Sequence, residues 1–349
     1  MTTELAKQCI HQKDTILMAL KKLDMLSGDA LVLFVCNNTE QVVGSLTDGD
    51  IRRALLRGAQ PSTPLEDVMH TDFAFLPSDE QDHTQALRDL KERKISLIPL
   101  LDKEHHLLKI YNLQKIHSIL PVDAVLMAGG KGERLRPLTE KTPKPLLPIR
   151  KKAIIDHNVD RLISYGIDHI SVTVNYLKEQ IIEHFAEPRQ GVAIKTFVEP
   201  EFLGTIGSIQ YVDNWKNDTV LVMNSDLYTD IDYEEFYLNF KQNHADMSVA
   251  AVPYTIAVPY GIMDLDGSIL KGMVEKPTYN YYANGGIYLI KRELLKLIPR
   301  DSFFNATDFI SLLIKEKRKV IRFPIKGTWI DIGNPQEYQK AKDLANPIL

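Results

Sequence analysis

Apolar and polar positions follow two different rhythms along this 349-residue chain, and the change falls near residue 121. Before it, Asp14 to Leu26 carries Ile16, Leu17, Leu20, Leu23 and Leu26 at the three-and-four spacing of an amphipathic helix. Ala30 to Cys36 is a short apolar run that reads as a buried strand, Asn37-Asn38-Thr39 is turn chemistry, and Gln41 to Leu46 reads as a second strand. Thr47-Asp48-Gly49-Asp50 then opens a helix through Leu56, because Thr and Asp accept hydrogen bonds from the free N–H groups at a helix start. A fainter copy follows, roughly 60 to 65 residues on: helix at Gln81 to Glu92, strand at Ile95 to Leu101, turn at Asp102-Lys103-Glu104, strand at Leu107 to Tyr111. The pattern predicts helix, strand, turn, strand, helix twice over, a small α+β pair.

After Pro121 the rhythm becomes strand and helix in alternation, which predicts an α/β layer with a mainly parallel sheet and helices on both faces. The expected strands are Val122 to Met127, Ile170 to Val174, Val192 to Val198, Thr219 to Asn224, Met247 to Val252, Gly286 to Ile290 and Val320 to Pro324. The expected helices are Lys152 to Tyr165 (stopped by Gly166), Lys178 to Phe185, Thr205 to Trp215, Asp232 to His244 and Thr307 to Lys317. The chain thus divides into residues 1–120 and 121–349. Ligands of such sheets bind beyond the carboxyl ends of the strands.

Charge and composition narrow the partners. Lys plus Arg number 42 and Asp plus Glu 46, a net charge of -4, which excludes a bulk-charge nucleic-acid binder. The longest unbroken apolar run, residues 30–36, is far too short to cross a bilayer, and Met1 to Leu5 has no secretory pattern. Two cysteines, Cys9 and Cys36, cannot build a disulfide framework or a four-cysteine zinc site. The expectation is a cytoplasmic protein without a membrane segment.

Candidate chemistry begins after the first strand of the second half. Glycines 129, 130 and 132, with Lys131, Arg134 and Arg136, form a loop whose backbone can approach an anion closely. It is neither a Walker loop nor a dinucleotide fingerprint, since Leu135 stands where a third glycine would be. The loop reads as a phosphate cradle, or as a glycine-rich turn with solvated charges. Pro143 and Pro145 flank Lys144 and predict extended backbone there, so the lysine loses less freedom on meeting a phosphate. Asp226 and Asp331 each follow an apolar strand and together could share a hard cation, although an Asp after a strand often only starts a turn. The paired histidines at 105 and 106 read as a solvated turn.

These motifs carry two resemblances. Leu33 to Leu55 with Leu65-Glu-Asp-Val-Met69 resembles a tandem CBS-domain pair, a family in which a Thr/Ser-x-x-Asp pattern holds an adenine nucleotide. Thr47 and Asp50 match it, while the second copy, Ile110 to Gln114, has no Asp. The resemblance implies AMP or ATP as a regulator and self-association through the CBS pairs; capping of the helix is the other reading of the same two residues. Residues from 121 to about 345 resemble the sugar-1-phosphate nucleotidylyltransferases. The match runs in order through Gly129 to Thr139, Pro143 to Pro148, Leu203-Gly-Thr-Ile-Gly207, Asn224-Ser-Asp226, Tyr260-Gly-Ile262, Glu275-Lys-Pro277, Asn284-Gly-Gly286 and Trp329 to Gly333.

The second resemblance implies a Rossmann-like mixed sheet and a set of roles. Ala128, Gly129, Gly130, Gly132, Glu199, Gly204 and Thr205 would hold a nucleoside triphosphate, Arg134 would stabilise departing pyrophosphate, and Lys144 would neutralise the α-phosphate. Asp226 and Asp331 would hold Mg2+, and Gly261, Glu275, Lys276 and Asn284 would line the sugar 1-phosphate. Two positions depart from the family: Ser225 replaces a frequent glycine, and Ile206, where a small residue is usual, is expected to reshape the base or sugar pocket. The Leu203-Gly-Thr-x-Gly segment is similar to the guanylyltransferase branch, which implies GTP with a mannose- or glucosamine-type phosphate. A uridylyl- or cytidylyltransferase, and an adenine-nucleotide sensor with an inactive transferase domain, are the alternatives.

Overall fold

The computed structural model describes residues 3–26 and 30–345; Met1 and Thr2, where the leader pattern was sought, lie outside them. The chain forms two compact units, Met1–Leu120 and Pro121–Leu349.

In the first unit, α1 (Thr3–Ala6), β1 (Cys9–His11), α2 (Ile16–Met25), β2 (Val32–Cys36), β3 (Val42–Thr47) and α3 (Asp48–Leu56) form the first copy. The second comprises β4 (Leu76–Pro77), α4 (Thr84–Glu92), β5 (Leu97–Leu101) and β6 (Leu107–Asn112). Each copy is a three-stranded sheet in which a short strand lies parallel to the first arm of an antiparallel hairpin. The repeat is therefore strand, helix, strand, strand. The opening strands escape the sequence pattern because they are only three and two residues long. The helix expected after β6 is absent: residues 113–120 form turns and irregular backbone. Phe34, Val42, Leu97 and Leu101 share one apolar cluster, so the two sheets of this unit are joined by a common core.

In the second unit the elements are β7 (Asp123–Ala128), β8 (Pro148–Ile149), β9 (Lys152–Ala153), α5 (Ile154–Ser164), β10 (Ile170–Val174), α6 (Lys178–His184), β11 (Ile194–Val198), β12 (Thr219–Asn224), β13 (Leu227–Thr229) and α7 (Tyr233–Gln242). They continue with β14 (Met247–Ala257), β15 (Ile262–Asp266), β16 (Ile269–Val274), β17 (Thr278–Lys291), α8 (Ala306–Lys315), β18 (Val320–Pro324), β19 (Trp329–Asp331) and α9 (Pro335–Leu344). The central sheet has the order β11-β10-β7-β12-β17-β14-β18. All neighbours are parallel except β17, which runs antiparallel to both β12 and β14. The fold is thus a mixed α/β layer with a mostly parallel sheet.

Helices cover both faces. Phe309 and Leu313 of α8 pack with Val125, Val222 and, more peripherally, Val320. Phe236 of α7 meets Phe323, ring centroids 5.0 Å apart. Val320 and Phe323 point to opposite faces because side chains alternate along a strand. The expected helix at Thr205 to Trp215 is instead a short 3-10 turn, Gly207–Tyr211.

Four parallel strands, β11, β10, β7 and β12, bring Glu199, Asn175, Gly129 and Asn224 to one edge of the sheet. On the other side β14 and β17 outrun their neighbours. β18 covers β14 only along Met247–Ala251, and β12 covers β17 only along Ile287–Lys291. Their remaining halves leave the sheet as a two-stranded ribbon, to which the β15–β16 hairpin is connected.

Candidate active site

The carboxyl ends of β7, β10, β11 and β12 surround a cleft of about 630 Å³, a size typical of small-ligand sites. Its lining includes Ala128, Gly129, Gly130, Gly132, Arg134, Lys144, Glu199, Gly204, Thr205, Asp226 and Asp331. Side chains scattered over two hundred positions of sequence thus converge on one opening.

The glycine loop is shaped by close approach and by handedness. A Cβ on Gly129 would lie 1.6 Å from Glu199 Oε1, so no other residue fits there unless Glu199 moves. Gly132 has φ +62°, the left-handed region, and its carbonyl accepts from the buried Thr139 hydroxyl at 2.8 Å. Tyr176 in turn donates to Thr139 O at 3.0 Å. The loop is braced from behind, which leaves its open side to the cleft.

The charged groups meet opposite this loop. Lys144 starts a 3-10 turn, Lys144–Leu146, rather than the extended backbone expected from its prolines. The turn closes with Leu147 N–H donating to Lys144 O at 3.1 Å. The Lys144 side chain is largely buried, and its ammonium donates to Asp226. Asp226 immediately precedes β13, and β13 pairs with β19 so that Leu227 faces Asp331. Ile332 N–H donates to Asp226 O at 3.1 Å, which fixes the two aspartates side by side. Burial pushes the Asp331 carboxyl above its ordinary range, and the Asp226 charge adds to this, against the pull of Lys144 and Arg134. Two neighbouring carboxylates, one of them destabilised as an anion, are a donor set that suits a hard divalent cation. Arg134 is exposed and passes over Gly333, Nη2 lying 3.2 Å from where a Cβ would sit.

Ser225, where the related motif often has glycine, is buried and donates to Met127 O at 2.7 Å. Asn158 of α5 donates to Leu227 O at 2.8 Å. These two residues position the Asp226 loop; Ser225 shows in the sequence only as a departure from the related motif, and Asn158 does not stand out, because one buried amide makes no pattern.

At the far end, Glu199 is buried and Leu203 N–H donates to its Oε2 at 3.1 Å. Burial raises the Glu199 carboxyl, and that hydrogen bond only partly opposes it. Thr205 lines the cleft, but its hydroxyl accepts from Ala306 N–H at 2.9 Å and so stitches the loop to the start of α8. Ile206 is fully buried among Val125, Val222 and Phe309. It supports the cleft from the core and does not face it, contrary to expectation. Phe202, partly exposed in the cleft lining, was missed by the sequence reading.

The four expected sugar-side residues stand apart from this lining. Gly261 and Glu275 lie together, a Cβ on Gly261 falling 3.0 Å from Glu275 Oε2. Lys276 adjoins them with φ +44°. Asn284 sits further along β17 and donates to the Tyr288 hydroxyl at 2.9 Å. All four belong to the ribbon and its hairpin.

In the first unit, Thr47 and Asp50 form a complete capping box on α3. Thr47 N–H donates to Asp50 Oδ2 at 2.9 Å and Asp50 N–H donates to Thr47 Oγ1 at 3.2 Å. Arg53 occupies the other Asp50 oxygen at 2.6 Å. The His105-His106 turn is more ordered than expected: His106 Nδ1 lies 3.1 Å from Asp102 Oδ2. Asp102, Glu104 and His106 place one ligand-type atom each within 4.8 Å of one another.

A mixed α/β sheet with a braced glycine loop and paired carboxylates at its carboxyl edge has its cleft where proteins of this fold class bind their ligands. The family model "Nucleotidyl transferase" matches residues 123–346, and the chain belongs to that family. It is 33% identical over 224 residues to the mannose-1-phosphate guanyltransferase of Yarrowia lipolytica, covering 61% of this chain and 61% of that protein. It is 33% identical over 229 residues to the bifunctional protein GlmU of Methanocaldococcus jannaschii, covering 63% of this chain and 53% of that protein. The match thus spans between about half and three-fifths of these relatives' lengths. Among solved structures, HddC from Yersinia pseudotuberculosis complexed with GMP-PN superposes with a TM-score of 0.50 at 27% identity, over 64% of this chain and 99% of that one.

Proposed function

We propose that this protein transfers a guanylyl group from GTP to a mannose- or glucosamine-type sugar 1-phosphate, releasing pyrophosphate. The observation that carries the reading is the convergence of Lys144, Asp226, Asp331 and Arg134 on one cleft beside the glycine loop. The nucleotide would lie along Gly129 to Gly132, whose backbone N–H groups suit phosphate oxygens. GTP is favoured because both a guanyltransferase and a protein solved with GMP-PN are among its similar proteins.

The chemistry asks little proton transfer of the protein. A sugar-phosphate oxygen is already anionic and attacks the α-phosphorus in line; the new P–O bond forms as the α–β bridge breaks and pyrophosphate leaves. Catalysis is then positioning and charge stabilisation. Lys144 would neutralise charge at the α-phosphate and Arg134 at the departing pyrophosphate. Asp226 and Asp331 would hold Mg2+, which when bound offsets phosphate charge. Gly261, Glu275, Lys276 and Asn284 would take the sugar phosphate as the ribbon approaches the cleft. Soluble substrates of this kind fit a cytoplasmic site of action.

The first unit is read as a CBS pair that senses adenine nucleotide through Thr47 and Asp50. Support comes from the duplicated strand-helix-strand-strand unit. Pyrophosphate release measured over a panel of nucleoside triphosphates and sugar 1-phosphates tests the whole reading. Turnover with GTP and a hexose or hexosamine 1-phosphate is expected. Turnover only with UTP or CTP overturns the base assignment, and no turnover beside tight AMP or ATP binding makes the protein a sensor.

A further inference from the structure

Two phenylalanine rings stand exposed at the Glu199 end of the cleft, Phe202 at 45% and Phe303 at 60%. They meet edge to face, with centroids 6.0 Å apart. Phe202 lines the cleft together with Glu199, Gly204 and Thr205, and Phe303 is packed beside it. The next residue, Phe304, does the opposite: its ring turns inward and packs with Phe309 on the core of the second unit.

The backbone that carries the two rings is locked together. Phe304 N–H donates to Leu203 O at 2.9 Å, and Gly207 N–H donates to Phe304 O at 3.2 Å. Gly204, at φ +82°, lies so close to this segment that a Cβ would fall 2.6 Å from Phe304 O. A platform held in this way loses little freedom when a ligand lands on it. An edge-to-face pair occupies no more than one face of each ring, and the exposure of Phe202 shows that part of its surface stays open to the cleft.

Charge decides which part of a nucleotide belongs here. Glu201 precedes Phe202, and Asp301 lies two residues before Phe303. Tyr211 donates to Asp301 at 2.5 Å, and its phenol is pushed up to about 12 by that hydrogen bond first, with the charges of Asp301, Glu201 and Glu199 adding to it. The negative charge gathered at this end repels phosphate, while Lys144 and Arg134 stand with the glycine loop. The phosphate-free end of a nucleotide is its base, a flat π surface, and a two-ring base covers more of a phenyl face than a one-ring base does.

We propose that Phe202 is the platform on which a purine base stacks, with Phe303 packed against it as its support. The proposal deepens the function given above and rests on it: the cleft takes a nucleoside triphosphate, and these two rings favour a purine over a pyrimidine.

Steady-state pyrophosphate release with GTP and with UTP, using mannose 1-phosphate and glucosamine 1-phosphate as acceptors, tests it on wild type, Phe202→Ala, Phe202→Trp and Phe303→Ala. Loss of an aromatic ring stacked on a base weakens affinity roughly 5- to 150-fold. Phe202→Ala is therefore expected to raise KM for GTP by about tenfold or more, with kcat within about threefold of wild type, and to narrow the preference for GTP over UTP. Phe202→Trp keeps a π face and is expected to restore KM. Phe303→Ala is expected to raise KM less than Phe202→Ala does. Rings that only staple the two loops together would lower Tm and kcat while leaving KM and the GTP-to-UTP preference unmoved, and that result overturns the inference. A Phe202→Trp protein no better than Phe202→Ala overturns it as well. Should Phe202→Ala fail to fold, Phe202→Leu keeps apolar bulk without the π face and is expected to show the same direction of change in KM. The wild-type rates judge the underlying function separately. No turnover with any nucleoside triphosphate, or turnover with UTP or CTP alone, overturns that reading and this inference together, whereas GTP turnover whose KM is unmoved in the variants overturns this inference alone.

Discussion

Lys144 and Asp226, 82 positions apart in the chain, meet as an ion pair inside the cleft. The lysine side chain is only 10% exposed, so its ammonium depends on this carboxylate. Without it, a largely buried charge would be left unpaired, at a cost of about 2 kcal/mol. In the proposed reaction both the α-phosphate and a metal ion would compete for the pair, the phosphate for Lys144 and the cation for Asp226. Lys144→Met is therefore expected to lower kcat by about 10²–10³-fold while leaving the fold intact, since both aspartates keep access to solvent or cation. Asp226→Ala is expected to lose metal-dependent turnover and also to lower Tm. Steady-state pyrophosphate release and thermal melting on both variants check this; an Asp226→Ala protein with full Mg2+-dependent activity would refute the metal assignment.

Arg134 presents the opposite case, a functional cation with little structural duty. It is exposed and lies over the backbone at Gly333. Arg134→Lys keeps the charge but loses the planar fork that grips two phosphate oxygens. A fall in kcat of about tenfold or more is expected, with Tm unchanged. A matching loss of stability would show instead that the guanidinium mainly holds the Gly333 turn.

The site was more legible in the sequence than the frame around it, for physical reasons. Glycines 129, 130 and 132, Lys144, Asp226 and Asp331 are small or charged residues set against apolar strands, and each breaks the local pattern where it occurs. The helix expected at Thr205 to Trp215 is only the 3-10 turn Gly207–Tyr211; Ile206, Ile209 and Val212, three apart, reach one apolar core from this tighter turn and its flanks. Strand β17 was seen only from Gly286 onward because the ribbon half, Thr278 to Asn284, is exposed and carries two asparagines, which read as turn. Its antiparallel insertion between β12 and β14 is a tertiary pairing that no local periodicity encodes.

The contact between Gly129 and Glu199 ties the phosphate end of the cleft to its other end. Gly129→Ala puts a methyl group 1.6 Å from the present position of Glu199 Oε1. Glu199 is buried and holds Leu203 N–H, so it cannot yield freely. A loss of about 1–3 kcal/mol is expected, together with loss of the thermal shift caused by GTP. Adding Glu199→Ala removes the obstacle, so the double variant is expected to regain part of the stability lost by Gly129→Ala without regaining nucleotide binding. Melting curves of the two single variants and the double variant, with and without GTP, decide it. Additive losses would mean that the two residues do not act through this contact.

Asp50 has a structural duty that any nucleotide would have to share. Burial alone would raise its carboxyl, yet Thr47, through hydroxyl and backbone, and Arg53 hold it below the usual carboxylate range. Asp50→Ala is expected to cost up to about 1 kcal/mol, because the Thr47 N–H loses its partner in the capping box while the Thr47 hydroxyl still caps the helix. If the first unit senses adenine nucleotide, AMP or ATP should raise the Tm of the wild type and not of the variant. A shift that survives in Asp50→Ala places the nucleotide elsewhere.

Asp160 provides a stability test free of the active site. Burial favours its neutral form, but Arg189 Nε at 2.5 Å and Lys152 at 2.6 Å outweigh that and hold the carboxyl at about 2, against an ordinary 3.8. Its side chain is 16% exposed, so solvent screens the pair only partly. The folded state therefore holds the proton more weakly than the unfolded chain does. The stabilisation is complete above the unfolded value and is lost as pH falls from about 4 toward 2, amounting to about 2 kcal/mol at neutral pH. Asp160→Asn is expected to be less stable than wild type by about that amount at pH 7, with the gap closing as pH drops below about 4. Urea unfolding of both proteins from pH 7 down to the acid limit of reversibility measures the gap. A gap that stays constant with pH would mean that the asparagine costs packing or hydrogen bonds, and that the Asp160 charge contributes nothing.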